Sequence, residues 1–104
     1  MNIAILNNYR ADKSLAKSLA QTLSKEISPK LMNEKRKLLS VNKITKILEI
    51  AYQSVEMYQV NKKLGFFRRV VLANNFKWEL KSLNYPDDFV NMATEGLLVS
   101  LTKS

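Results

Sequence analysis

The fold is decided by residues 41–63, which read VNKITKILEIAYQSVEMYQVNKK. Apolar side chains recur in this stretch every three or four residues, which is the spacing of one face of an α-helix. They are Val41, Ile44, Leu48, Ala51, Val55 and Tyr58. A second stripe repeats every seven residues and consists of Ile50, Met57 and Leu64. Because a helix that is apolar on two faces needs two covering surfaces, we predict that it is the central helix or lies across a homodimer interface.

Two helices are predicted before this one. Apolar residues recur every four positions from Asp12 to Ile27, with Asp12 or Asn8 as the N-cap. Ser28-Pro29 separates this helix from a second one, which runs to about Leu39, because proline disfavours a helical residue before it and fits the first helical position. Ser40 then either caps the third helix or lies inside one continuous helix, so residues 28–46 form one helix or two.

Two further helices are predicted after Gly65, which marks the end of the third helix. The fourth covers about Phe66 to Leu83 and the fifth about Pro86 to Leu101. Asp87-Asp88 places negative charge in the first turn of the fifth helix, where it complements the helix dipole. Gly96 either permits a close approach by a neighbouring group or weakens this helix.

The predicted fold class is all-α, a compact bundle of four or five helices in a single domain over residues 1–104. Residues 1–8 contain a segment that is either a helical extension or a loose arm. Two glycines and two prolines leave few turn residues for a β-rich fold. The predicted core consists of Leu19, Leu23, Ile44, Leu48, Ala51, Val55, Phe67, Val71, Phe76, Leu80, Phe89, Ala93 and Leu97.

The inventory of reactive side chains argues against an enzyme. The chain has no histidine and no cysteine, which removes the commonest general base, a thiolate nucleophile and the usual zinc ligands. We therefore expect no catalytic residue, no cofactor and no metal. No apolar run approaches the ~20 residues that a transmembrane helix needs, so we expect no membrane span and a cytoplasmic location.

A net charge of +8 favours a polyanionic partner. The candidate nucleic-acid contacts form two clusters, one of Lys30, Lys35, Arg36, Lys37, Lys43 and Lys46, and one of Lys62, Lys63, Arg68 and Arg69. The second cluster flanks Phe66-Phe67, and cations beside aromatic rings suit phosphate contact with base stacking. The leading prediction is a small regulatory or accessory protein that contacts nucleic acid, although lysine-rich helix faces are also common as solvated surface.

The alternative function is a protein-interaction module, such as an adaptor, an inhibitor or an immunity-type bundle. It would use Trp78 and Tyr85 as exposed anchors for a partner, because aromatic side chains dominate binding energy at interfaces. The predicted partner is nucleic acid or an acidic protein, and a homodimer is a further expectation from the third helix. Tyr52 and Tyr58 are predicted at the edge of the core with their hydroxyls in water.

Overall fold

The computed structural model describes the backbone of residues 3–33, 41–62 and 64–102, and the side chains of residues 9–33, 41–60 and 64–102. Within these ranges the chain forms helices and no strand. The helices are α1 (Ile3–Glu26), α2 (Pro29–Asn33), α3 (Val41–Lys62), α4 (Phe66–Ser82) and α5 (Asp87–Thr102). The prediction of an all-α compact bundle is confirmed.

The four long helices pack as a ring around one apolar core. α1 and α5 each contact both α3 and α4, and the interfaces of α4 are the most extensive. The prediction that α3 is central is therefore wrong, because α3 occupies one corner of the ring. α3 has two neighbours, α1 and α5, but Ile50 and Met57 of its second apolar stripe stay largely exposed, whereas Leu64 is buried.

The first helix begins earlier than its apolar stripe suggests. α1 starts at Ile3, so neither Asn8 nor Asp12 is its N-cap, and the segment before Asp12 is a helical extension. The break at Ser28-Pro29 is confirmed, and the Met32 amide donates a hydrogen bond to the Ser28 carbonyl at 3.2 Å. The predicted end of α2 near Leu39 and the question of one helix or two fall in residues 34–40, outside the described residues.

The junction between α4 and α5 is closed by backbone and side-chain hydrogen bonds. Asn84 adopts a left-handed conformation with φ of 69° directly after the C-cap of α4. Its carbonyl accepts a hydrogen bond from Asn33 Nδ2 at 2.6 Å. Pro86 acts as the residue before α5, and its carbonyl accepts a hydrogen bond from the Val90 amide at 3.0 Å. These contacts attach α2 to the end of α4.

Most of the predicted core residues are buried, with Ala51 only partly so. Phe67 and Val71 are the errors, since they are 80% and 39% exposed. The core face of α4 consists of Leu72, Ala73, Phe76 and Leu80, of which Phe76 and Leu80 belong to the predicted core. α4 is apolar on two faces, and only the face with these four residues meets α1 and α5.

Gly96 provides a close approach to an aromatic ring, which is one of its two predicted roles. A Cβ atom at Gly96 would lie 3.3 Å from Cε2 of Tyr52. The Tyr52 hydroxyl donates a hydrogen bond to the Ala93 carbonyl at 2.5 Å, so the expectation that it reaches water is wrong. α3 and α5 are thereby fixed to each other through one tyrosine.

We predict that Asn84→Ala lowers the free energy of unfolding by about 1 kcal/mol. The left-handed region is disfavoured for L-residues, and alanine lacks the short polar side chain that lets asparagine hydrogen-bond locally there. Asn84→Gly is the matched control and should leave it unchanged within about 0.5 kcal/mol, since glycine adopts this conformation without a steric penalty. Urea denaturation followed by circular dichroism measures both. Equal stabilities for the two variants would contradict this explanation.

Candidate protein-interaction surface

The outer face of α4 carries a continuous set of exposed apolar side chains, which we call the α4 ridge. Its members are Phe66, Phe67, Val70, Val71 and Trp78. Phe67, Val71 and Trp78 lie on the side of the helix opposite to its core residues, because side chains in an α-helix advance by about 100° per residue. Val70 lies at the edge of that side, and Phe66 is the first residue of the helix. Phe67 is 80% exposed and Trp78 is 57% exposed. The ridge is therefore left uncovered by the packing of the described chain.

The ridge is long enough to contact a partner over several helical turns. Phe67, Val71 and Trp78 follow one another at spacings of four and seven residues, so they line up along the helix axis. The rise of 1.5 Å per residue makes this row about 17 Å long. The rings of Phe66 and Phe67 meet edge to face with centroids 5.7 Å apart at one end of the row.

The charges on one side of the ridge are positive. Lys81 Nζ lies 5.0 Å from the centroid of the Trp78 ring, which is a cation–π geometry. Lys77 lies one turn before Lys81 on the same side of the helix. The one acidic residue of α4, Glu79, lies about 160° around the axis from Lys81. Lys77 and Lys81 thus lie on one side of the aromatic row, and Glu79 lies on its other side.

A buried ion pair holds the beginning of α4 against α1 and α3. Asp12 of α1 is 2% exposed. Arg68 donates hydrogen bonds from Nε to Asp12 Oδ2 and from Nη2 to Oδ1, both at 3.0 Å. The Tyr58 hydroxyl of α3 donates to Asp12 Oδ1 at 2.6 Å. We call these three residues the Asp12 cluster; burial and the bond to Asp12 raise the pKa of Tyr58 to about 12.

The segment between α3 and α4 is fixed by backbone contacts next to this cluster. Leu64 is buried, and its amide donates a hydrogen bond to Gln59 Oε1 at 3.1 Å. Gly65 precedes α4 in an extended conformation, and its carbonyl accepts the Arg69 amide at 3.1 Å. The first turn of α4 therefore has a defined direction, and Phe66 and Phe67 project from it into solvent.

The predicted nucleic-acid contacts are not brought together in the described chain. Lys30, Lys43 and Lys46 are exposed, near the beginning of α3. Arg68 and Arg69 lie beyond its other end, and α3 has 22 residues, which corresponds to about 33 Å. Other members of the clusters lie outside the residues whose side chains are described, namely Lys35, Arg36, Lys37, Lys62 and Lys63.

Arg68 of the second cluster has a role inside the fold, and Arg69 is partly buried. Arg68 is bound on two nitrogen atoms by Asp12, so its charge is compensated within the protein. Arg69 is half-buried, and its Nε atom has no hydrogen-bond partner in the described structure. Neither guanidinium is fully available to a phosphate group.

The two residues predicted as partner anchors differ in their exposure to solvent. Trp78 is exposed, as predicted. Tyr85 is 5% exposed, so its prediction as an exposed anchor is wrong. Its hydroxyl donates to the Ile27 carbonyl, and its ring stacks on Phe89 with centroids 4.6 Å apart. Tyr85 instead packs against the break between α1 and α2. Burial raises its pKa to about 12.

Sequence reasoning missed the Asp12 cluster and most of the ridge. Asp12 shares a helical stripe with Ala16 and Ala20, which are fully buried, so an acidic residue on an apolar stripe was the available signal. Phe67, Val71 and Trp78 share one side of the predicted fourth helix, but the pattern does not tell which apolar side is buried.

Among the described residues, no group of three or more acidic side chains lies close enough to hold a metal ion. No helix in the described ranges is both long and apolar enough to cross a lipid bilayer.

Comparisons with known proteins found no relative. No protein family, no curated protein and no solved structure matches this chain.

We predict that Arg68→Ala lowers the free energy of unfolding by at least about 2 kcal/mol, because it leaves the buried Asp12 carboxylate without its counter-ion. Lys81→Ala, on the exposed side of the same helix, is the control and should cost less than about 0.5 kcal/mol. Asp12→Ala combined with Arg68→Ala should cost less than the two single changes added together. Additive losses in this cycle would show that the pair does not act as a unit.

We also predict a loss of stability at alkaline pH. The pKa values of Tyr58 and Tyr85 are raised to about 12 in the folded protein, against about 10 when unfolded. Folding therefore favours the neutral phenols. Their contribution to the free energy of unfolding is complete below pH 10 and is lost as the pH rises towards 12. Denaturant titrations from about pH 8 to about pH 11.5 should show the decline, and Tyr58→Phe should make it shallower. An equally steep decline in Tyr58→Phe would refute the assignment.

Proposed function

We propose that this protein is a helical protein-interaction module that binds an acidic surface of a partner protein through the α4 ridge. The role is binding rather than catalysis. The observation that carries the proposal is the exposure of Phe67, Val71 and Trp78 in one row, flanked by Lys77 and Lys81. Contiguous exposed apolar patches mark interaction sites, and aromatic residues supply most binding energy in such sites.

The ridge is not needed to complete the core. Leu72, Ala73, Phe76 and Leu80 already face the neighbouring helices and are buried. Scattered single apolar residues on a surface are ordinary, whereas a row of three with two further exposed apolar residues beside it forms a patch. The Asp12 cluster holds the start of this helix in place, and a rigid surface loses less conformational entropy on binding.

The chemistry of the ridge supports a protein partner with acidic groups around an apolar centre. Lys77 and Lys81 lie beside the aromatic row, and the whole chain has a net charge of +8. Complementary charge at the rim raises the association rate and selects against basic partners. The cytoplasmic location predicted from the sequence belongs to this proposal, and the absence of cysteine agrees with a reducing compartment.

We predict that Phe67→Ser and Trp78→Ser each weaken partner binding by at least about tenfold, because each removes a large aromatic anchor from the surface. The control is Ile50→Ser, which removes an exposed apolar side chain from α3. Tagged chains are used to capture partners from nuclease-treated extract, and the captured protein is then purified and titrated directly. Trp78 is the single tryptophan, so its emission also reports binding in the wild-type chain.

The expected result is a stoichiometric protein that binds wild type and Ile50→Ser alike and loses affinity for both ridge variants. Equal affinity for all four chains would overturn the proposal, as would capture of no protein by a wild-type chain that also stays monomeric. Circular dichroism confirms that the variants are folded.

Nucleic-acid contact is the second candidate, and the exposed side chains of Lys30 and Lys46 support it. Phosphate contacts would make such binding fall steeply with salt concentration. The same capture without nuclease treatment separates the two functions, because recovered nucleic acid that high salt removes, with no stoichiometric protein, favours this candidate.

A further inference from the structure

A shallow apolar groove lies between α3 and α5, on a different part of the molecule from the α4 ridge. Its volume is about 230 Å³, and we call it the α3–α5 groove. Its principal lining residues are Leu48, Glu49, Tyr52, Met92, Gly96 and Val99. Gly96 has no side chain, so this side of α5 presents no Cβ atom above the Tyr52 ring. Val99 is 53% exposed at its edge, so the groove has apolar surface left uncovered.

The groove lies in the most acidic part of a basic protein. α5 contains no lysine or arginine, and its acidic residues are Asp87, Asp88 and Glu95. On the α3 side, Glu49 lines the groove and is exposed. Glu95 is exposed on α5, one residue before Gly96. The groove is thus apolar at its centre and acidic at its edges, which is the reverse charge of the α4 ridge.

We propose that the α4 ridge of one copy docks in the α3–α5 groove of a second copy. This inference rests on the proposed function and names the partner of the same surface, a further molecule of this chain. Aromatic side chains of the ridge enter the apolar groove, and Lys77 and Lys81 face Glu49 and Glu95. Every molecule carries both the α4 ridge and the α3–α5 groove.

Charge selects this pairing over a symmetric one. Two ridges placed face to face would bring Lys77 and Lys81 of both copies together, with no carboxylate on that side of α4. Two grooves placed face to face would oppose Glu49 and Glu95 in the same way. Like charges across an interface cost free energy, whereas a ridge in a groove pairs opposite charges.

The two surfaces share no residue and lie on different helices, so the contact is head to tail. When two molecules bind in this way, one still has a free ridge and the other a free groove. Such heterologous contacts close into rings or continue as open chains, and they do not stop at a two-fold dimer. The assembly is expected to weaken with salt, because the rim charges are exposed and are screened.

The first measurement is sedimentation of the wild-type chain over a range of concentrations, together with the emission of Trp78. We expect the mass to rise above that of one chain with concentration, and the emission to shift to shorter wavelength as the indole leaves water. Added salt should reverse both changes. A chain that sediments as a monomer at every concentration at low salt would overturn the inference.

The decisive measurement mixes two variants. Trp78→Ser removes the ridge and leaves the groove, and Val99→Lys blocks the groove and leaves the ridge. Each alone should sediment as a monomer, with self-affinity reduced at least about tenfold. Their equimolar mixture should form a heterodimer and nothing larger, because only one intact ridge and one intact groove meet. Ile50→Ser is the control and should assemble as the wild type does.

A second pair protects this test against folding defects in one variant. Glu49→Lys changes an exposed charge of the groove, and Lys81→Glu changes one beside the ridge. Each should weaken assembly alone, because like charges then meet in every contact. The mixture of the two should recover assembly as alternating copies, because every contact between unlike variants pairs opposite charges. Assembly of wild type with no association of unlike variants in either mixture would refute the ridge-in-groove contact.

These outcomes are separable from those of the proposed function. A monomeric wild type that still binds a different protein through Phe67 and Trp78 overturns the inference and leaves the function standing. A monomeric wild type that binds no protein through these residues overturns both.

Discussion

The buried ion pair between Asp12 and Arg68 is the constraint on which the rest of this structure depends. Asp12 lies in the middle of α1 with almost no contact with solvent, and a carboxylate in that position is tolerated only when it is paired and hydrogen-bonded. Arg68 supplies the charge from α4 and Tyr58 supplies a hydroxyl from α3. One buried charge therefore connects three helices and sets the position of the first turns of α4, from which Phe66 and Phe67 project.

The fourth helix gives the protein both its core and its candidate interaction surface. α4 packs on α1 and α5 through Leu72, Ala73, Phe76 and Leu80. Its opposite face remains apolar, although the fold does not cover it. The charges then divide between neighbouring helices, because α4 presents lysines beside its exposed face while α5 contains acidic residues and no basic ones. A molecule with this asymmetry has two surfaces of complementary chemistry.

Sequence reasoning placed the helices well because local chemistry determines where they start and stop. Pro29 and Pro86 act through their own backbone restrictions, and α2 and α5 begin at or beside them, while α4 begins directly after Gly65. The start of α1 was missed because residues 3–11 continue the helix without a terminating signal. Within the candidate site, the exposure of Trp78 was predicted, whereas Phe67 and Val71 were assigned to the core. Tyr85 was assigned to the surface, and its burial depends on Ile27, which is 58 residues away in sequence.

The amino-acid sequence by itself determined that this chain is helical, where most helices begin and end, and which apolar stripes are available for burial. Those properties depend on neighbours within a few residues, and helical periodicity is sufficient to predict them. Only the tertiary structure decided which of the two apolar faces of α4 is buried, because that choice depends on the helices that meet it. It also decided that Asp12 is an ion-pair partner and not a cap. Asp12 meets an arginine 56 positions away only after α1 and α4 have packed.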